Sequence, residues 1–217
     1  MISRRALVFT IMGVAIVTLF VVDMTTGSSV LSVGEVWSAL LGDSDPSTVK
    51  IVCGIRLTKA IVAIIAGLAL AVSGLQMQTL FCNPLAGPYV LGITSGASLG
   101  VALFILGASA FGIGDALGFF GDFGVAGAAL AGAALVLAVI AAVGSRIKDI
   151  MVILILGMMF SSGIGAIVQI LQYLSHEDAL KAYVVWTMGS LGDVTSDQLI
   201  ILAVASFAGL ILAVAAI

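Results

Sequence analysis

Six apolar runs recur along the chain, at roughly 6–22, 60–80, 93–109, 124–144, 150–173 and 195–217. None alternates apolar and polar with a period of two, so strands of a membrane barrel are excluded and helices are predicted. A spanning helix needs about 20 mainly apolar residues; the pattern therefore predicts six transmembrane helices, the first and third of them short. The polar residues between the runs are unevenly distributed. Residues 23–58 form the one long loop, in which Ser32 and Glu35 have capping-box spacing ahead of an apolar stripe ending at Leu41, predicting a short interfacial helix. Residues 176–190 are too polar to span and too apolar for free coil. They predict a second short helix at the membrane mouth, with Trp186 as an interfacial anchor.

Residues 81–97 read differently again. Two of the three prolines lie here, and Asn83-Pro84 and Gly87-Pro88 force the chain to reverse between one span and the next. The stretch has no charge, which predicts a reversal packed against other protein and not merely solvated at a membrane surface.

Composition fixes the class. Hydrophobic residues make up 62% of 217 and charged residues 9%, with a mean hydropathy of +1.32; soluble domains average about 45–50% and ~25%. This is an all-α, polytopic membrane protein. Its first run follows Arg4 and Arg5, as either a signal peptide or a retained span would. No small-x-small site follows Val22, which favours retention.

Charge gives an orientation. With the N-terminus inside, Arg4, Arg5, Arg146 and Lys148 are cytoplasmic, while Lys50, Arg56, Lys59 and Lys181 lie outside. The tie is broken by the shortness of the inner segments, where the positive-inside bias is strongest. Ten of the eleven acidic residues, all but Asp149, fall outside in agreement. Arg4 and Lys148 are thus expected in the cytoplasm, Asp115 and Glu177 beyond the membrane. Cys53 and Cys82 then lie on opposite sides, so neither a disulfide nor a metal site is expected.

Small residues mark close helix approach. Gly92, Gly96 and Gly100 repeat every four residues, and Gly67 with Ala71 and Ala128 with Gly132 make similar grooves, suited to helix packing or to lining a pore. Chemistry, by contrast, is missing. No ionisable residue lies in the middle of a span, as ion-coupled carriers and proton relays require. No phosphate-binding Gly-x-x-x-x-Gly-Lys-Ser/Thr loop is present. His176, the single histidine, sits beside Glu177 and Asp178 as a solvated loop residue would. No catalytic residue, cofactor or nucleic-acid partner is expected. If the protein drives uphill transport, the engine is another subunit.

Arg56-Leu57-Thr58-Lys59, the stretch Gly67 to Gln78, Asn83-Pro84-Leu85-Ala86-Gly87-Pro88 and Leu91 to Gly100 resemble, in order and spacing, the permease subunits of binding-protein-dependent ABC importers for iron-siderophores, haem and cobalamin. Weaker similarity continues through Leu154 to Met158 and Trp186 to Gly192. The resemblance implies a multi-pass permease of the bacterial inner membrane, paired with a second copy in a homodimeric pore surrounded by lipid. It also implies ten spans per subunit, ATPase subunits on the inner face and an extracytoplasmic binding protein on the outer. It supports the N-in orientation. Thr58 and Lys59 stand where the family usually has Pro and Arg. The chain stops in an apolar run at Ile217, before the cytoplasmic Leu-Gly-Glu-Glu-type helix that engages the ATPases. By resemblance it is the N-terminal part of such a permease, with about six spans present; truncation, fragment and split subunit all remain open.

The resemblance also suggests roles. Arg56 and Lys59, three residues apart at the outer mouth, would receive carboxylates of the binding protein, with snorkelling to lipid headgroups as the alternative. Met158, Met159, Ser161, Ser162, Gln169 and Gln172 on the fifth span offer soft or neutral contacts to a bulky chelate, or else core packing. The fifth span and the short helix carrying Trp186 would line and gate the path. Competing readings are an ion-coupled carrier or channel, which would show flux without ATP, and a membrane scaffold, which would bind partners without moving solute.

Overall fold

The computed structural model describes residues 3–110, 121–147, 149–192 and 194–215, and every regular element among them is helical. Lys148 and Asp115, two of the positions used for orientation, lie outside the described residues. The elements are α1 (Arg4–Thr25), α2 (Val33–Leu41), α3 (Pro46–Leu80), α4 (Ile93–Gly107, continuing to Ala110), α5 (Gly121–Gly144), α6 (Ile150–Leu174), α7 (Glu177–Met188) and α8 (Ser196–Ala215). Among the described residues five helices are long and apolar enough to cross a membrane: α1, α3, α5, α6 and α8. The third run is shorter than a full span, as its sequence indicated, and forms α4.

The long loop is more ordered than its composition suggests. Asp45 accepts a hydrogen bond from the Ser47 amide at 3.0 Å and Pro46 opens the next helix, so α3 begins at residue 46 and not near 60. It runs 35 residues, about 50 Å, against a hydrocarbon core of about 30 Å. Its charged early turns, with Lys50, Arg56 and Lys59, therefore have length to spare beyond the apolar part. Residues Lys50–Leu57 are wound as a π-helix, a widened turn often found where a side chain must be re-aimed.

The predicted capping box is formed. Ser32 Oγ accepts from the Glu35 amide at 3.3 Å, while Glu35 Oε2 accepts from the Ser32 amide at 2.7 Å and from its hydroxyl at 2.8 Å. These bonds to the ionised form hold the Glu35 carboxyl below the usual carboxylate range. Gly42, at φ +81°, closes α2: its amide reaches Ala39 O and the Asp43 amide reaches Ser38 O, the paired bonds of a Schellman end. At the far end of the chain Thr195 and Gln198 make a reciprocal cap on α8, at 2.9 and 3.4 Å.

The chain divides into two compact units, residues 1–69 with 191–217, and residues 70–190. In the first, Met24, Val36, Ala39 and Val52 form a small core, with Phe20, Leu31 and Cys53 against it, so α2 is clamped between the end of α1 and the start of α3. In the second, the core joins Phe81, Ala86 and Leu91 of the reversal to Val101 and Leu106 of α4, Val136 and Ile140 of α5, Ile164 and Val168 of α6, and Tyr183 of α7.

Candidate functional site

Carbonyls at the end of a helix lack intrahelical donors. At the end of α1 the donor comes from Arg56: its Nη1 donates to Met24 O at 2.7 Å, and its Nη2 donates to Ser29 O and, at 3.2 Å, to Ser29 Oγ. Gly27 admits the guanidinium, since a Cβ there would stand 3.0 Å from Nη2. Arg56 is in consequence only 6% exposed. This corrects the expectation of two charges at the solvent edge. The π-helical turn and the overlying 26–29 segment enclose Arg56, whereas Lys59 stays open, 3.6 Å from Asp23 Oδ1, with the two side chains 49% and 41% exposed.

The reversal at 81–92 is built from turn chemistry. Asn83 Oδ1 accepts from the Leu85 amide at 2.9 Å and Asn83 O from the Ala86 amide at 3.1 Å. Pro88 opens a single 3₁₀ turn, Pro88–Leu91, and Gly92 at φ +75° turns the chain into α4. Cys82 takes φ +48°, a left-handed conformation that non-glycine residues seldom adopt. The expectation of burial holds for Phe81, Ala86, Gly87 and Leu91, while Asn83, Pro84, Leu85 and Tyr89 are exposed.

Glycines then bring backbones together. A Cβ on Gly96 would stand 2.6 Å from the Gly132 carbonyl oxygen; one on Gly132 would overlap the Gly96 carbonyl, and one on Gly100 the carbonyl of Ala128. The two grooves read from the sequence are thus each other's partners, α4 against α5. Gly92 and Gly157 do the same between the reversal and α6, where a Cβ on Gly157 would lie 2.5 Å from Val90 O. Gly67 has open space beside it among the described residues.

On α6 the candidate path residues separate. Gly157, Ser161, Ile164 and Val168 lie along the face toward the core, and Ser161 Oγ donates back to Gly157 O at 2.9 Å. Beside it Met158, Ser162, Gln169 and Gln172 fall within about 80° of one another around the helix axis. Met158, Ser162 and Gln169 are exposed and Gln172 is half-buried. They make an uncharged polar stripe, with Ser162 Oγ bonded to Met158 O at 3.1 Å. Met159 does not belong to this stripe. It lies on the opposite flank, in an apolar groove of about 530 Å³ lined by Leu99, Val136, Phe160 and Ile164 among others.

The short helix α7 is fixed through a residue the sequence reading did not single out. Tyr183 is 2% exposed, and its hydroxyl lies 2.5 Å from Ser98 Oγ on α4. Its ring stacks on Trp186 with centroids 6.3 Å apart and planes at 29°. Trp186 is therefore half-buried against the core, not simply an interfacial anchor. A tyrosine three residues before a tryptophan on a predicted helix was the available signal. Both cysteines are free, and among the described residues no three His, Cys, Asp or Glu side chains gather as a metal site would require.

The model of the FecCD transport family matches residues 15–217. The chain is 31% identical over 176 residues to the molybdate import system permease protein MolB of Haemophilus influenzae, covering 79% of this chain and 49% of that one. It is 33% identical over 175 residues to the hemin transport system permease protein HmuU of Yersinia pestis, covering 81% and 50%. The chain thus spans about half the length of these curated relatives. Among solved structures, an inward-facing metal-chelate type ABC transporter superposes with a TM-score of 0.69 at 28% identity, covering 87% of this chain and 55% of that one.

Proposed function

Because this chain belongs to the FecCD transport family, we propose that it is the N-terminal part of the inner-membrane permease of an ATP-driven importer. Its cargo is a metal-bearing solute: an iron-siderophore, haem or cobalamin-type chelate, or, as the molybdate relative suggests, an oxyanion. Hydrolysis of ATP falls to separate subunits, delivery to an extracytoplasmic binding protein, and the pore to two copies of the permease. The observation that carries this reading is the family match across nearly the whole chain.

Roles for particular residues follow. The uncharged stripe of Met158, Ser162, Gln169 and Gln172 suits a path for a bulky solute that must bind weakly enough to leave, and Ser161 borders it. Met159 serves the apolar groove instead. Trp186, on α7 beside the outer end of α6, contributes to the gate. Lys59 receives a carboxylate of the binding protein in exchange for Asp23, and Arg56 acts by holding the 26–29 segment in place. The test is reconstitution of the full-length permease with its ATPase and binding protein in vesicles. Uptake should require ATP and the binding protein together; flux driven by an ion gradient without ATP would overturn the reading.

A further inference from the structure

Around its axis α2 shows three sectors, each set by residue spacing at about 100° per residue. Val36 and Ala39 are buried against Met24 and Val52. Gly34, Glu35 and Ser38 make a polar sector. Val33, Trp37 and Leu41, four residues apart in sequence, make a third sector that is apolar and open, at 62%, 64% and 63% exposure. Leu40 joins the open sector to the buried one, so the apolar arc is continuous and protein covers only part of it.

The height of this arc follows from its neighbours. Helix α1 is a 22-residue helix long and apolar enough to cross a membrane, and α2 is clamped to its last turn through Met24. The Lys59–Asp23 ion pair marks where charge reappears at the ends of α1 and of the apolar part of α3. Residues 26–34, which lead from α1 into α2, carry no charge. Glu35, the one charged side chain on α2, is engaged by its capping box and points away from the apolar arc. An apolar arc with a tryptophan at its centre and a polar sector opposite is the pattern of a helix lying in the headgroup region.

We propose that α2 is a lipid-binding element: the Val33–Trp37–Leu41 face inserts into the outer headgroup and acyl boundary of the bilayer, with Gly34 and Ser38 toward water. Clamping by Met24 and Val52 fixes its depth. Lipid contact at Trp37 then bears on the segment that Arg56 ties down, because residues 26–32 lead from the Arg56-bound end of α1 into α2.

Site-directed spin labels decide this. Single cysteines at Val33, Trp37, Leu41, Gly34 and Ser38, in full-length protein with Cys53→Ala and Cys82→Ser, are labelled in lipid nanodiscs. The ratio of collision with oxygen to collision with a polar nickel chelate is then measured. The ratio should be severalfold higher at 33, 37 and 41 than at 34 and 38. Equal ratios at Trp37 and Ser38, meaning both are bathed in water, would overturn the proposal. Shielding of Trp37 from both reagents would overturn it too, by showing a protein on that face.

Discussion

The hydroxyl of Tyr183 on α7 and that of Ser98 on α4 lie 2.5 Å apart, between residues 85 positions apart in sequence. Both groups are withdrawn from bulk solvent, and the bond ties a short amphipathic helix to the helix whose glycines hold α5. Removing either hydroxyl should loosen α7 by about 0.5–1.5 kcal/mol. Tyr183→Phe and Ser98→Ala should each accelerate amide exchange across 177–188, and the double variant should be little worse than either alone. Additive effects would mean the two hydroxyls are not partners.

Glycine substitutions should divide by where a methyl group would fall. Gly100→Ala drives a Cβ into the Ala128 carbonyl and should cost about 1–3 kcal/mol by overpacking. Gly127→Ala, with open space around it, should gain about 0.5–1 kcal/mol from the better helix former. Thermal unfolding of the purified protein in one detergent should move in opposite directions for the two.

Arg56 and Lys59 should also part company. Arg56→Lys cannot reproduce a two-armed grip on Met24 and Ser29, and should destabilise by about 1.5–3 kcal/mol, since hydrogen bonds from charged groups are the strong ones. Lys59→Glu breaks an exposed pair worth under about 1 kcal/mol, so folding should be preserved. Capture of the binding protein by the full-length permease should nevertheless weaken, and the loss should shrink as salt rises. Unchanged capture at low salt would remove Lys59 from the docking reading.

The cap on α2 should respond to acid. Its Glu35 carboxyl titrates below the usual carboxylate range when folded, because two bonds from Ser32 favour the ionised form. A group depressed in this way contributes stability above its unfolded pKa and loses that contribution as pH falls through the folded value. Protection of the amides at 32 and 35, corrected for intrinsic exchange, should therefore begin to fade as pH falls through the ordinary carboxylate range and be lost below the depressed folded value. Ser32→Ala keeps the backbone bond to the carboxylate and should only weaken the pH dependence, while costing about 0.5–2 kcal/mol of helix stability through the lost cap; Glu35→Gln should abolish the pH dependence.

What was legible in the sequence is what depends on near neighbours. Apolar run length gave the spans, Ser32 and Glu35 gave α2, and Asn83-Pro84 with Gly87-Pro88 gave the reversal. Even the glycine grooves at 96–100 and 128–132 were visible, though not that each fills the other, because spacing on one helix does not name its partner. Arg56 shows the limit most plainly. Its three-residue distance from Lys59 placed both on one face of an ideal α-helix, but a π-helical turn re-aims the side chain, and acceptors 27 and 32 residues earlier enclose it. Met159 was grouped with Met158 by chemistry, and adjacent residues on a helix face different ways. The spacing of Tyr183 and Trp186 signalled their stacking, but only the fold brings Ser98 to the Tyr183 hydroxyl.

The seam between α4 and α5 has a mechanical meaning. Where helices meet through long side chains, rotamer changes let one glide past the other. Here carbonyl oxygens rest directly on glycine backbones, and a slide of one turn, about 5.4 Å, would bring Phe104 toward ground that only a hydrogen atom can occupy. The seam between these two helices therefore resists sliding. Within residues 70–190, α7 meets α4 differently, through side chains, with Tyr183 in the core and its hydroxyl on Ser98.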